Sequence, residues 1–253
     1  VDPADSDGDG HVSDDCNGNW IPDECEGPVC YVDASAPTDG DGSSWTTAYN
    51  NLQDALDVAA NQCETVVITE IWVADGTYMP DGGYMPPAEP HVTGTGSREA
   101  TFQLVSGVAV YGGFTGDETS LDQRDPAANA TILSGDLNGD DAEVVNPADL
   151  QDEPTRAENS YHVVTGSGCD PTAVLDGLTI VGGYAYCSTY GCSSDDFSGG
   201  GMLNANGSPT VINCIFRANT AKGDDYCSSS ARCEGAGGGM YNYDGSYPIL
   251  RNC

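Results

Sequence analysis

Residues 199–214 read GGGMLNANGSPTVINC, and residues 237–253 read GGGMYNYDGSYPILRNC. The second stretch repeats the first at an offset of 38 residues, which becomes 39 after one inserted residue. Each copy holds a glycine-rich approach, a short apolar strand, a Gly-Ser turn, a second short strand and a closing Asn-Cys pair. Short strands separated by turns at a fixed period predict a parallel β-solenoid, in which successive repeats stack as coils.

The repeat also predicts ladders of identical side chains. If the two copies stack in register, Asn204 lies beside Asn242 and Asn213 lies beside Asn252. The spacing would be the roughly 4.8 Å that separates paired strands. Stacked asparagine side chains can hydrogen-bond from one coil to the next, so we expect both pairs to tie the coils together.

The composition is that of a turn-rich and strongly acidic chain. Its 253 residues include 33 Gly and 14 Pro, which favours an all-β protein over a helical one. The 40 acidic and 7 basic residues give a formal charge of −33. This charge argues against nucleic acid as a partner and against an anionic membrane surface, because both need a basic face. No apolar run is long enough for a transmembrane helix, so we expect no membrane insertion.

The eleven cysteines indicate an oxidising, extracellular compartment, where disulfides persist. Cys214 and Cys253 would be neighbours in a ladder, either as an intercoil disulfide or as stacked thiols. We favour thiols, because a disulfide needs stricter Cβ geometry than an in-register ladder provides. Zinc is a competing use of cysteine pairs, but the spacings are not those of a zinc knuckle. The local spacing predicts disulfides between Cys187 and Cys192, Cys227 and Cys233, Cys16 and Cys25, and Cys30 and Cys63.

Residues 1–30 form a separate acidic segment. Its first part, Asp5-Ser-Asp7-Gly-Asp9-Gly-His11, places carboxylates at alternate positions and a glycine where a calcium loop must turn sharply. A weaker copy follows at residues 15–23, with Trp20 where a glycine is expected. The alternative is an acidic tail that binds no ion. The candidate calcium ligands are Asp5, Asp7, Asp9, His11, Asp14, Asp15, Asn17, Asn19 and Asp23.

Residues 31–253 are predicted to form the solenoid domain. One amphipathic helix is expected at about 49–60, where Leu52, Ala55, Leu56 and Ala59 share one face. A helix before a run of strands can cover the edge of the first coil. Long excursions between the strands are typical of functional loops. Besides the two repeats, strands are predicted at 65–68, 71–74, 101–105, 108–111, 130–133, 161–165 and 174–181.

Several motifs resemble those of a known family. They are SWTTAYNNLQDAL (44–56), IWVADGTY (71–78), VYGGF (110–114), NATILSGD (129–136) and LDGLTIVGG (175–183). In this order they resemble the secreted bacterial right-handed parallel β-helix proteins that are frequent in planctomycetes. The segment 1–30 resembles thrombospondin type 3 and dockerin-like calcium repeats. The resemblance implies a right-handed parallel β-helix with one N-terminal capping helix and long loop insertions, but it implies little about function, because relatives include adhesins and polysaccharide-active enzymes.

The leading functional hypothesis is a secreted, calcium-stabilised structural or adhesive protein that is not an enzyme. No capping element follows the repeat that closes at Cys253, and a head-to-tail contact that does not close into a ring generates a filament. We therefore expect the chain to bind further copies of itself, or components of the cell surface or extracellular matrix.

The alternative is a module that binds or degrades polysaccharides. Tyr184 and Tyr186 lie in an excursion and can stack on sugar rings. A lyase would need an arginine or lysine base, and a glycosidase would need carboxylates from adjacent coils, for which the candidates are the pairs Asp195-Asp196 and Asp224-Asp225 in corresponding loops. We interpret these two as solvated loop carboxylates, because no histidine or basic residue accompanies them in the sequence.

Overall fold

The computed structural model describes residues 28–38, 40–61, 67–81, 95–187, 193, 195–223 and 235–253. Within these ranges the chain has one α-helix, α1 (Leu52–Ala60), and short 3₁₀ turns. The strands are β1 (Val29–Val32), β2 (Glu70–Ala74), β3 (Gly76–Tyr78), β4 (Phe102–Gln103), β5 (Ala109–Phe114), β6 (Thr131–Ser134), β7 (Val164–Thr165), β8 (Val174–Asp176), β9 (Leu178–Val181), β10 (Tyr184–Ala185), β11 (Met202–Ala205), β12 (Thr210–Ile212), β13 (Ile215–Arg217), β14 (Thr220–Ala221), β15 (Met240–Tyr243) and β16 (Ile249–Arg251).

The strands form three parallel sheets and one additional pair. Sheet 1 has the order β1-β2-β5-β8-β12-β16, sheet 2 the order β3-β6-β9-β13, and sheet 3 the order β4-β7-β11-β15, while β10 pairs with β14. Every described pairing is parallel. From β2 onward the chain visits sheets 1, 2 and 3 in this order and then returns to sheet 1. The predicted all-β class is therefore confirmed.

The two sequence repeats pair strand to strand. Met202 lies opposite Met240 in sheet 3, an offset of 38 residues, and Thr210 lies opposite Ile249 in sheet 1, an offset of 39. The inserted residue is accommodated in the turn between the two strands. Stacked repeats therefore keep the same register in both sheets.

Asparagine side chains connect successive strands at two places. Asn204 Nδ2 donates to Asn242 Oδ1 over 2.7 Å. Asn252 Nδ2 donates to Asn213 Oδ1 over 2.7 Å, and Asn213 Nδ2 in turn donates to Asp176 Oδ1 over 2.9 Å. The second ladder thus extends over three strands of sheet 1.

The corner between sheets 1 and 2 contradicts the single strand predicted at 174–181. The chain turns at Gly177, which has a φ of +82°, and the two halves become β8 and β9 in different sheets. Glycine enters this left-handed region without a Cβ penalty. Asn213 and Asn252 follow β12 and β16 in the same way, with φ of 52° and 53°. Asparagine is among the few other residues that tolerate this conformation.

Helix α1 begins at Leu52, later than the predicted 49–60. Tyr49 remains extended, because its backbone N–H donates to Tyr31 O over 3.0 Å. Asn51 then caps the helix by accepting from the Gln53 N–H. The apolar face of α1 packs against β1 and β4. The core that this face joins receives fully buried side chains from all three sheets, among them Ile71, Leu133, Val164, Leu175, Ile180, Met202 and Val211.

Candidate functional site

The excursion between β6 and β7 begins with a tight acidic loop, Asp136-Leu-Asn-Gly-Asp140-Asp141. The Asp136 carboxylate accepts backbone N–H groups from Gly139 over 2.7 Å, from Asp140 over 3.2 Å and from Asp141 over 2.9 Å. These bonds wrap the loop around Asp136. Aspartate commonly closes turns in this way, by accepting from the backbone that follows it.

The loop places three carboxylates together. Asp136, Asp141 and Glu158 each present an oxygen within 4.8 Å of the other two, and all three residues are partly buried. We call this group the acidic centre. Among the described residues it is the one group of three or more carboxylate, histidine or cysteine side chains spaced to hold a metal ion. Carboxylate oxygens are the ligands that hard divalent cations prefer.

Several oxygen atoms of the acidic centre and its surroundings lack partners. Asp141 Oδ1 and Glu158 Oε1 are inaccessible to solvent and accept no hydrogen bond. Burial raises the pKa of both carboxyl groups, and repulsion from Asp136 and Asp140 raises it further. A carboxylate oxygen held without solvent or a donor is energetically unfavourable.

Arg156 and Asn159 join the acidic centre to the sheets. Arg156 Nη1 donates to Asp141 Oδ2 over 2.9 Å, and its Nη2 donates to Ala218 O over 2.7 Å. Asn159 Nδ2 donates to the same Asp141 oxygen over 3.0 Å and to Gly182 O over 2.5 Å. The excursion is therefore attached to the corners that follow β9 and β13.

These corners allow little room for side chains. A Cβ on Gly183 would lie 1.7 Å from the carbonyl oxygen of Gly200, which belongs to the approach to β11. Glycine is required here because two backbones pass in direct contact. Because these glycines have no side chains, the backbone at 182–183, to which Asn159 is bonded, lies in direct contact with Gly200.

A cavity of about 280 Å³ is lined in part by the same excursion. Gln151 and Asp152 form part of its wall, and Arg98, Tyr184, Tyr186 and Lys222 also line it. Its volume is near the lower end of the roughly 300 to 1,000 Å³ that is common for small-molecule pockets. We call it the excursion pocket.

The two cations of the excursion pocket are held by the protein itself. Arg98 donates through Nε to Asn159 O over 2.6 Å, through Nη1 to Tyr186 O over 2.8 Å and through Nη2 to Tyr184 O over 2.7 Å. Lys222 Nζ donates to Asp152 Oδ1 over 2.7 Å and lies 5.1 Å from the centre of the Tyr186 ring. Two of the seven basic side chains of the chain therefore line one pocket.

The structure corrects the interpretation of Asp195 and Asp196 as solvated carboxylates without a histidine nearby. Asp196 is buried and accepts from the Ser193 N–H over 2.8 Å, while Asp195 accepts from the Tyr243 hydroxyl over 2.7 Å. The charges of both aspartates act on His162, whose pKa is nevertheless lowered by burial. A tyrosine and a serine thus fix these two carboxylates in place.

Cys187 takes part in a disulfide, and no described residue is its partner. Cys30 is buried in β1. The predicted pairings stay predictions, because Cys16, Cys25, Cys63, Cys192, Cys227 and Cys233 lie outside the described residues. Cys214 is a buried free thiol, as expected for a stack, and Cys253 is an exposed one.

The calcium segment proposed at 1–30 is described only from Pro28 onward, where Val29 and Cys30 belong to β1. Its candidate ligands Asp5, Asp7, Asp9, His11, Asp14, Asp15, Asn17, Asn19 and Asp23 all lie outside the described residues. The acidic centre was not predicted from the sequence, although a calcium-loop pattern is present there. The loop at 136–141 places Asp136, Asn138 and Asp140 at alternate positions together with a glycine, much as residues 5–11 do.

Comparison with known proteins returns no match to a family model, to a curated protein or to a solved structure. In the described parts of the chain no helix has the length and apolar character needed to cross a membrane.

Proposed function

We propose that this chain is an extracellular structural or adhesive protein, built on a calcium-stabilised, right-handed parallel β-helix. Its partners in this proposal are further copies of itself, or components of the cell surface or extracellular matrix. Calcium is assigned to the acidic segment 1–30 on the basis of its sequence.

The strand order supports the solenoid. Each passage of the chain through sheets 1, 2 and 3 adds one strand to the growing side of each sheet. Repeats that stack in this way bury a continuous core that no single repeat could form alone. Connections between parallel strands of one sheet are right-handed in about 98% of cases, which supports the handedness.

The observation that carries the proposal is the structural use of the arginines. Arg98 and Arg156 donate to backbone carbonyls of distant segments. Arg124 donates to Gly112 O and Asp176 O over 3.1 Å each and forms a 2.8 Å ion pair with the Asp176 carboxylate. A lyase base must be free to approach a substrate proton, whereas these guanidinium groups are bonded to the protein itself.

Electron microscopy of the purified, non-reduced protein tests this function, with millimolar calcium and again after chelation. The proposal expects regular filaments or defined oligomers that come apart when calcium is removed. Dispersed monomers under both conditions, together with turnover of a polysaccharide that is lost in Asp195→Asn, would contradict it.

Carbohydrate binding is the second candidate, and the excursion pocket favours it. The pocket has the aromatic ring of Tyr186 in its wall beside a second tyrosine, Tyr184, and aromatic rings can stack on the faces of sugars. A glycan array tests this candidate with Tyr186→Ala as the variant and Tyr247→Ala, which alters an exposed tyrosine elsewhere, as the control. Binding that both variants retain would contradict a glycan site in this pocket.

A further inference from the structure

We infer that the acidic centre of Asp136, Asp141 and Glu158 is a calcium site of the β-sheet domain, separate from the segment 1–30. The three carboxylates converge within 4.8 Å of one another, so one cation can contact all of them. They come from both ends of the excursion between β6 and β7. A cation there would join the start of the excursion to its end.

A neighbouring side chain supplies independent support. Asn159 is fully buried, and its Oδ1 has no hydrogen-bond partner. Its carboxamide faces the acidic centre, because Nδ2 donates to Asp141 Oδ2. Buried amide oxygens are almost always paired in native proteins, so an unpartnered one indicates a bound water or ion as its partner.

The carboxylates themselves lack the partners that a cation would replace. Asp141 Oδ1 and Glu158 Oε1 are also shielded from solvent and without a donor. A cation at the acidic centre would therefore satisfy an unpartnered oxygen on each of these two carboxylates. Hydrogen bonds within the protein satisfy the other Asp141 oxygen, through Arg156 and Asn159.

The donor set favours calcium over other divalent ions. All the candidate ligands are oxygens, whereas zinc sites normally include cysteine or histidine. Calcium accepts six to eight oxygens in an adaptable geometry and completes its shell with water, while magnesium demands a near-ideal octahedron. Three carboxylates beside one arginine leave a local excess of two negative charges, which a divalent cation would balance.

The metal would also stabilise the wall of the excursion pocket. Asn159 links the two places, since its side chain binds Asp141 and its carbonyl oxygen accepts from Arg98 Nε. Wall residues 151–154 and 157 come shortly before Glu158 in the chain. Calcium at the acidic centre should therefore order the excursion from 136 to 159 as one unit.

Isothermal titration of the full chain with calcium chloride tests the inference. Glu158→Gln keeps the shape of the side chain and removes one ligand charge, and Glu143→Gln makes the same change at an exposed position of the excursion. We expect Glu158→Gln to lose one binding event or to weaken it at least tenfold, and Glu143→Gln to match the unmodified protein. Identical isotherms for all three proteins would overturn the inference.

Hydrogen exchange distinguishes this site from the acidic segment 1–30. Calcium should slow exchange of the Gly139, Asp140 and Asp141 amides, which already bond to Asp136. This protection should persist in an Asp7→Asn/Asp9→Asn variant and disappear in Glu158→Gln. Calcium binding that leaves hydrogen exchange in residues 136–159 unchanged would refute the site, while the proposed structural function would stay open. Filaments that form while calcium fails to slow exchange in 136–159 would lead to the same conclusion.

Discussion

Replacing Arg156 with methionine should destabilise the fold far more than removing an exposed cation. The Arg156 side chain is 2% exposed and its partner Asp141 is 18% exposed. The substitution keeps much of the apolar volume but leaves the partly buried Asp141 carboxylate without its cation. Breaking a buried ion pair from one side costs roughly 3–5 kcal/mol, because the remaining charge is uncompensated.

Lys222→Met is the matched control. Lys222 pairs with Asp152, but these side chains are 29% and 66% exposed, so water already solvates both charges. Exposed ion pairs contribute about 0–1 kcal/mol. The two variants remove the same charge and differ in the burial of the pair.

Urea unfolding in a chelating buffer, followed by tryptophan fluorescence and circular dichroism, gives both free energies if the two probes coincide. For a chain of this size, the loss at Arg156 corresponds to a fall in Tm of roughly 6–20 °C. The double variant Arg156→Met/Asp141→Asn should recover part of the loss, because the orphaned charge is removed as well. If the free energies of unfolding of Arg156→Met and Lys222→Met differ by less than about 1 kcal/mol, burial of the ion pair does not determine its contribution to stability.

Three further predictions concern the core, the close backbone contact and pH. In urea unfolding, Leu175→Ala should lower the free energy of unfolding by about 2–5 kcal/mol, because it opens a cavity in the core. Leu250→Ala changes a residue two strands further along the same row of sheet 1. It should lower the free energy of unfolding by less than about 1 kcal/mol, because that side chain is 51% exposed. Gly183→Ala should abolish soluble expression or lower the urea midpoint drastically, because its Cβ would collide with a carbonyl oxygen. The Cβ of Gly107→Ala would meet open space, so this variant should lose only about 1 kcal/mol of unfolding free energy, which reflects the positive φ at that position. Burial lowers the pKa of His162 below 6.5 in the folded protein. As the pH falls, the unfolded chain therefore binds the proton first, and the stability that this residue contributes is lost below about pH 6.5. The urea midpoint of His162→Gln should therefore fall less than that of the unmodified protein between about pH 7.5 and pH 5.5, and equal falls would contradict the assignment.

The sequence alone was sufficient to predict the strand-rich class and the register of the repeats. The recurrence of Gly-Gly-Gly-Met and Asn-Cys specified which residues lie opposite each other, so the pairing of Asn204 with Asn242 could be read directly. Such information is local, because a repeated motif adopts the same conformation each time it occurs. In 174–181, apolar residues stand on both sides of Asp176-Gly177, and the single strand predicted there overlooked the turn at this dipeptide.

The residues of the acidic centre come together only in the tertiary structure, and so do those of the excursion pocket. Asp136 and Glu158 lie at opposite ends of one excursion, and Arg98 reaches the carbonyls of Tyr184 and Tyr186 more than 80 residues away. No periodicity in the chain records these contacts, since the excursions do not repeat. They meet because each return of the chain to the same sheets brings segments that are distant in sequence within a few ångströms of one another, where burial then decides which charges must be paired.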